Sequence, residues 1–393
     1  MTRCAVRPVA LRPVSRTASR ALVYAWALRP LLFLLPPDTA HALAFAGLGP
    51  VEYLPPLRAL IRALLAPRDP RIAVTAMGLT FPSPLGLAGG FDKNGLRPRA
   101  LAALGFGHLE LGTVTALAQE ANPRPNMFRL PRDRALVNRL GFPNEGAARL
   151  AERILARGVG HGGAGVPVGV SIGKSRPVPI DDLEQVIADY LAAFGPPRTL
   201  GADFVVVNVS SPNTKDLRAM QAAPLARALL SALTTANEDI ALGRAGAAVP
   251  LLLKIAPDLD DAAIESLLAV VEEVGIDGVV ATNTTISREG LATDAARVEA
   301  IGAGGLSGAP LRARALEVVR RVRARLGPRP VVVGVGGVER AEHAMALVRA
   351  GADLVQTYTG FVYEGPGAPS RIARELGAMV EREGARTLAE LRG

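Results

Sequence analysis

The densest chemistry in the chain lies in Asn208-Val209-Ser210-Ser211-Pro212-Asn213-Thr214, where hydroxyls and carboxamides follow a run of valines. Pro212 stiffens the segment and pushes its predecessor toward an extended backbone. Thr282-Asn283-Thr284-Thr285 repeats the theme after another apolar run, and Asn138 sits in the 127–142 segment, which reads as a hairpin. Each asparagine offers two donors and an acceptor. Asn138, Asn208, Asn213 and Asn283 gathered at one mouth would suit a ring of alternating amide N–H and C=O groups. Taken singly, each reads as turn chemistry. The cations are also selective. Only four of the 45 Lys+Arg residues are lysines: Lys93 in GGFDKNG, Lys174 in SIGKSRP, Lys215 in SSPNTKD and Lys254 in LLLKIAPD. Lysine is a compact point charge and arginine a planar fork. In an arginine-dominated chain these loop lysines mark positions where a single charged atom is wanted.

The elements that must position these groups are regular. Eight apolar runs occur at 85–90, 108–115, 166–174, 203–211, 249–257, 277–285, 330–337 and 354–360. Helical patterns follow at 97–104, 145–157, 181–193, 222–238, 260–274, 311–326, 340–350 and 369–384. Unbroken Val/Ile/Leu runs indicate strands buried on both faces, hence a parallel sheet. Eight strand–helix units predict a (β/α)8 TIM barrel. A doubly wound open sheet is the alternative, disfavoured because polar motifs end all eight strands. Residues 127–142, MFRLPRDRALVNRLGF, predict a hairpin with a PRDR turn on the side where barrel active sites form. GAGGLSGAP (302–310) and GVGGVE (334–339) read as glycine-rich turns, and Tyr358-Thr359-Gly360 follows the eighth strand. Barrels bind phosphate at the loops after strands seven and eight. A cofactor with one phosphate and a polar ring fits better than a dinucleotide, because no GxGxxG follows the first strand.

Composition narrows the partners. The 393 residues carry a net charge of +9, yet no nucleic-acid motif or aromatic-interleaved basic stripe is present. One cysteine, Cys4, excludes an internal disulfide, and the four histidines lack metal-ligand spacing. Residues 1–37 contain six arginines and no acid. The run ALVYAWALRPLLFLL (21–35) is too short, and too interrupted by Arg29-Pro30, to span a bilayer. The next segment, PPDTAHALAFAGL, is expected to form a second apolar helix capped by Asp38 or Thr39. Two such helices behind a basic tail suit a monotopic membrane-surface device. Packing on the protein's own core, or an organelle transit peptide, are the alternatives. The expected organisation is a basic tail (1–20), N-terminal amphipathic helices (21–70) and a barrel (71–393).

From about residue 30 to 385 the chain closely resembles the class 2, quinone-linked dihydroorotate dehydrogenases. The resemblance rests on MGLTFPSPLGLAGGFDKNG (77–95), FGHLELGTVT (106–115), NRLGF (138–142), NVSSPNT (208–214), KIAPDL (254–259), ATNTT (281–285), GGLSGAPL (304–311), VGVGGV (333–338) and LVQTYTGF (354–361). It implies an FMN barrel of pyrimidine (UMP) biosynthesis that oxidises dihydroorotate to orotate and passes electrons to ubiquinone. Ser211 would be the base that takes the C5 proton, with Thr214 and Phe142 shaping its relay. Lys93 would touch flavin and orotate. Asn138, Arg139, Leu140, Gly141, Phe142, Asn208, Asn213, Asn283 and Thr284 would meet the substrate. Gly89, Gly90, Phe91, Asp92, Thr113, Ser171, Asn208, Lys254, Thr282, Gly308, Gly337, Tyr358 and Thr359 would hold the flavin. His41, Arg129 and Tyr358 would line a quinone tunnel. His41 read alone could simply pack a helix, and Arg129 could be a surface hairpin charge.

The subclass follows the same resemblance. Soluble relatives use a cysteine base, and no cysteine follows Cys4. Ligands for an iron–sulfur partner subunit are absent from the sequence. The expected location is peripheral, on the cytoplasmic face of a bacterial membrane or, alternatively, on the mitochondrial inner membrane. Ser171 stands where the family usually has asparagine, and Arg176 replaces a common lysine. Residues 1–20 extend past the usual bacterial start, as a targeting sequence or a mis-called start would. A soluble flavin barrel with another electron acceptor, and a non-catalytic membrane-docked flavin or nucleotide binder, are the competing readings.

Overall fold

The computed structural model describes Tyr24 and residues 28–243 and 248–393. Cys4, the basic tail and the beginning of the first apolar run lie outside the described residues. The strands, in chain order, are β1 (Val74–Ala76), β2 (Leu79–Phe81), β3 (Leu85–Leu87), β4 (His108–Val114), β5 (Met127–Leu130), β6 (Ala135–Asn138), β7 (Val168–Ile172), β8 (Phe204–Asn208), β9 (Leu251–Ile255), β10 (Gly278–Ala281), β11 (Gly305–Gly308), β12 (Val331–Val335) and β13 (Leu354–Thr357). Eight of them close a parallel barrel in the order β3-β4-β7-β8-β9-β10-β12-β13. Pairing of Val355 with Leu85 shuts the ring. These are the eight predicted runs, each trimmed to its buried centre.

Strand parity decides what each face does, because successive side chains alternate across a strand. In β8, Val205 and Val207 pack outward against the helices, while Phe204 and Val206 point into the barrel. In β9 the outward set is Leu251, Leu253 and Ile255, which turns Leu252 inward. The inner core is therefore a short apolar plug of Phe81, Phe204, Val206, Leu252 and their neighbours, with the β1–β2 hairpin supplying Phe81. Above the plug, the same parity gives the inside of the barrel to Asn208, Lys254, Glu110 and Gln356.

The outer helices are α5 (Pro98–Ala103), α6 (Ala147–Arg157), α7 (Leu183–Leu200), α8 (Ala223–Gly243), α9 (Asp261–Val274), α10 (Ala295–Ile301), α11 (Arg312–Leu326), α12 (Ala341–Arg349), α13 (Thr359–Glu364) and α14 (Ala368–Arg382), after the N-terminal α1 (Arg29–Leu34), α2 (Pro37–Gly47), α3 (Gly49–Tyr53) and α4 (Pro55–Leu65). Side-chain caps start α7 and α9, where Asp182 and Asp260 accept from Gln185 N and Ala263 N at 3.0 and 2.8 Å. The expected cap at Asp38 or Thr39 is not made. Pro36 occupies the N-cap and Pro37 opens α2, whose fixed φ suits a first helical turn. Asp38 lies in that turn, at the positive end of the helix dipole.

The 127–142 segment forms the expected hairpin, but it is not alone. β11 pairs antiparallel with β6, giving a three-stranded sheet β11-β6-β5. The stretch read as a glycine-rich turn at 302–310 thus contains a strand. Gly305 permits it: a Cβ there would lie 2.0 Å from Thr284 Oγ1 and 3.1 Å from Pro212 Cγ. The strand is pressed against two motif loops at once.

Candidate active site

At the C-terminal end of the barrel is an open cleft of about 1000 Å³. Its floor is a buried polar chain. Lys254 Nζ donates to Glu110 Oε1 at 3.0 Å, and Gln356 Nε2 donates to Glu110 Oε2 at 3.0 Å. His108 lies beyond, 3.5 Å from the Gln356 amide. Burial pulls the His108 imidazole down to about 3, so it is neutral and adds no charge. Because a carboxylate only accepts, the glutamine must present its NH2 to Glu110. That leaves Gln356 Oε1 buried at the cleft without a partner among the described residues. Gly89 makes room for this arrangement, since a Cβ there would come within 2.3 Å of Glu110 Oε1. Glu110 and Gln356 were not among the sequence candidates. The available signal was polar residues on the inward parity of strands otherwise buried end to end.

One wall is built from the asparagines, which the fold brings together. Asn213 Nδ2 donates to Asn138 Oδ1 at 2.9 Å. Asn283 Nδ2 donates to Ser210 Oγ at 2.9 Å and to Asn208 Oδ1 at 3.3 Å. Asn208 Nδ2 donates to Thr113 Oγ1 at 3.0 Å. All four asparagines, with Thr284, Leu140, Gly141 and Phe142, line the cleft. Phe142 holds a left-handed backbone with φ of 53°, a strained conformation for an aromatic residue. Ser211 opens into the same space and is only 5% exposed. Its Oγ accepts from Asn213 N at 3.2 Å. The Thr214 hydroxyl, three residues on, is buried without a partner among the described residues.

The rest of the lining contains Gly89, Gly90, Lys93, Thr113, Tyr358 and Thr359, with Lys254, Thr282, Gly308 and Gly337 completing it. Lys93 Nζ donates to Gly90 O at 2.7 Å. Burial outweighs the attraction of Asp92 and Asp38 and brings the Lys93 ammonium down to about 8. Four expected residues stand behind the lining instead. Ser171 is fully buried, with its hydroxyl 2.9 Å from Thr113 Oγ1. Asp92 accepts from Leu96 N and Arg97 N, both at 2.8 Å, and so shapes the loop after β3. Arg139 turns away, donating to Ile301 O at 2.7 Å and stacking on Phe128. Phe91 faces the N-terminal helices.

Phe91 starts an aromatic path. Its ring centroid is 5.5 Å from Tyr358 and 5.1 Å from His41, and His41 lies 4.5 Å from Phe45 on α2. Burial, reinforced by Lys93, lowers His41 to about 4, so it is neutral. Burial raises Tyr358 to about 12. Arg129 Nη1 donates to Leu35 O at 2.7 Å and stacks over Phe33 at 4.7 Å, fastening the α1–α2 turn to β5. The N-terminal helices thus continue the cleft rather than standing apart from it.

A family profile described as dihydroorotate dehydrogenase matches residues 71–380. The chain belongs to the dihydroorotate dehydrogenase family. Curated relatives named dihydroorotate dehydrogenase (quinone) include one from Thermobifida fusca, 48% identical over 95% of this chain and 96% of its own. Another, from Nocardia farcinica, is 48% identical over 94% of this chain and 96% of its own. Among solved structures, the Eimeria tenella dihydroorotate dehydrogenase in complex with ferulenol superposes with a TM-score of 0.75. It is 31% identical, covering 91% of this chain and 95% of that one. Similarity to the dihydroorotate dehydrogenases therefore includes the N-terminal helices as well as the barrel.

Proposed function

We propose that the chain oxidises dihydroorotate to orotate in pyrimidine biosynthesis, with FMN as resident cofactor and a ubiquinone-type quinone as final electron acceptor. The observation that carries this reading is the convergence of Ser211, four asparagines and the Lys254–Glu110 pair on one cleft. The residues present fit FMN. Gln356 Oε1 is a buried acceptor, unpartnered among the described residues, that suits a ring N–H. At Gly337, φ of +68° and a Cβ position 2.7 Å from Arg312 Cβ leave space for backbone alone, as a close-fitting phosphate loop requires. Gly337 and Thr359 follow β12 and β13, where barrels hold phosphate. When bound, FMN supplies the hydride acceptor.

The chain's own groups do the rest. Asn138, Asn208, Asn213, Asn283 and Thr284 hold the substrate's amide and carboxylate edges through donors whose positions are mutually fixed. Ser211 Oγ takes the C5 proton as the C6 hydrogen departs with its electron pair. A serine hydroxyl is a weak base in water, so it needs a dry site and an onward path for the proton. The buried Thr214 hydroxyl, on the same loop, supplies the next polar atom. Lys254 brings positive charge to the floor where electron density accumulates on reduction. Lys93 pairs with the substrate's carboxylate. Since Lys93 loses its proton near 8, orotate binding should weaken as pH rises from 7 to 9, by up to about tenfold per unit above 8. Equilibrium titration of the flavin spectrum with orotate checks this, and an affinity unchanged up to pH 9 would oppose the Lys93 role.

Quinone access is assigned to the N-terminal side. Leu31 and Leu34 on α1 are 63% and 82% exposed, and Leu43, Leu54, Leu60 and Leu64 are each more than half exposed. Such exposed leucines on short helices fit docking onto a lipid surface. No helix among the described residues is long and apolar enough to cross a membrane. His41, Phe91 and Tyr358 then lead from the N-terminal helices to the cleft, with Arg129 bracing the turn above. Leu31→Asp combined with Leu34→Asp should cut vesicle binding and long-chain quinone turnover at least tenfold. Anaerobic flavin bleaching by dihydroorotate should stay unchanged. Equal vesicle binding by this variant and the parent would remove the membrane assignment.

A further inference from the structure

The reading of Ser211 as proton acceptor rests on a loop that ought to wander. Between the fully buried Ser210 and Leu217, residues 212–216 are partly or wholly exposed, and Asp216 adopts a left-handed backbone. A hydroxyl on such a segment is useful only if the segment is held to within a fraction of an ångström of the substrate groups. Neighbours on one strand end cannot do that, because the substrate contacts come from other strand ends.

Arg218 spans the gap. It is the second residue of the 3-10 turn Leu217–Gln221 that follows the loop, and it uses all three sides of its guanidinium. Nε donates to Ser210 O at 3.0 Å, beside Ser211 at the end of β8. Nη1 donates to Asp258 Oδ2 at 2.7 Å, beyond the end of β9. Nη2 donates to Thr284 O at 2.8 Å, beyond the end of β10. Asp258 in turn accepts from Thr285 Oγ1 and from Ile286 N, so the carboxylate is tied to the Thr284 loop as well. Gln221 completes the brace, accepting from Ala256 N at 2.8 Å and donating to Arg218 O at 3.3 Å. Both peptide oxygens that Arg218 grips belong to residues flanking or forming the proposed reaction site, yet Arg218 does not line the cleft.

We infer that Arg218 is the positioning residue of the reaction, a three-way clamp that sets the Ser211 hydroxyl against the Asn283-Thr284 side of the substrate. This deepens the proposed function and depends on it. A planar fork with donors on three edges can hold three acceptors on three separate loops. Lysine also has three donors, but all on one nitrogen, so it cannot reach acceptors spread around the three edges of the guanidinium. The clamp acts on geometry at the proton-transfer step, so its loss should appear in the limiting rate of flavin reduction rather than in ligand affinity.

The test is anaerobic stopped-flow reduction of the FMN-loaded, full-length protein by dihydroorotate, for the parent, Arg218→Ala and Arg218→Lys. The limiting rate is expected to fall about 30- to 100-fold in Arg218→Ala. Orotate affinity and the flavin spectrum should stay within about threefold and unshifted, and millimolar guanidinium should restore part of the rate. Arg218→Lys should remain slow, because charge without the fork is insufficient; it also serves if the alanine variant does not fold. Parental limiting rates in either variant, or a loss confined to substrate affinity, overturn the clamp. If the parent itself is not bleached by dihydroorotate, the reading of the whole site fails and the clamp fails with it, a result distinct from a bleaching parent with equally fast variants.

Discussion

Ser211→Ala is expected to leave the flavin bound and to slow its reduction by dihydroorotate about 100-fold or more, the scale of a lost general base. The structure isolates the effect. The Ser211 hydroxyl makes one hydrogen bond among the described residues, accepting from Asn213 N at 3.2 Å, so its removal costs the fold on the order of 1 kcal/mol. The side-chain contacts of the asparagine wall do not pass through it, since Asn283 is anchored on Ser210 and Asn208 and Asn213 on Asn138. Orotate affinity should therefore be preserved while the rate falls. Rapid anaerobic mixing measures both, and a parental reduction rate in the variant would assign the proton to another group.

A different kind of loss is expected from Glu110→Ala. Glu110 is 1% exposed and is the counter-ion of Lys254, itself only 5% exposed. Removing one member of a buried pair leaves an uncompensated charge, at a cost of about 3–5 kcal/mol. The variant also strands the Gln356 amide, which donates to Glu110 Oε2. Denaturant unfolding should show that destabilisation, with the flavin largely lost on purification. Glu110→Ala combined with Lys254→Met should recover much of the stability but not the flavin chemistry, because the stranded charge is gone and so is the cation at the floor. Equal stability of Glu110→Ala and the parent would show that Lys254 does not need its partner.

The barrel was legible because its information is local. Runs such as Phe204–Asn208 and Val331–Val335 carry their own strand signal, and the eight-fold repeat leaves few topologies. The convergence of Asn138, Asn208, Asn213 and Asn283 was legible for the same reason, since each sits at or just past a strand end. What escaped was long-range. β11 has a glycine-rich sequence with no strand propensity, and it is a strand because β6 offers an open edge. Glu110 and Lys254 are 144 residues apart, and nothing near either names the other. Arg139 sits in a motif that faces the cleft, yet three backbone oxygens and the Phe128 ring draw it to the outside. Ser171 is too short to reach past Thr113, and its hydroxyl ends on the Thr113 hydroxyl. The two N-terminal helices expected from sequence are α1 and α2 where the chain is described, and two more, α3 and α4, follow them; prolines open α2, α3 and α4 at Pro37, Pro50 and Pro55.

The measurement that bears most directly on the account is anaerobic titration of the purified, FMN-loaded protein with dihydroorotate while the flavin absorbance and orotate are followed together. Bleaching of the flavin is expected with one orotate formed per flavin, and full recovery of colour on adding a ubiquinone analogue. A flavin that stays oxidised in excess dihydroorotate, or a protein that takes up no FMN, would contradict it.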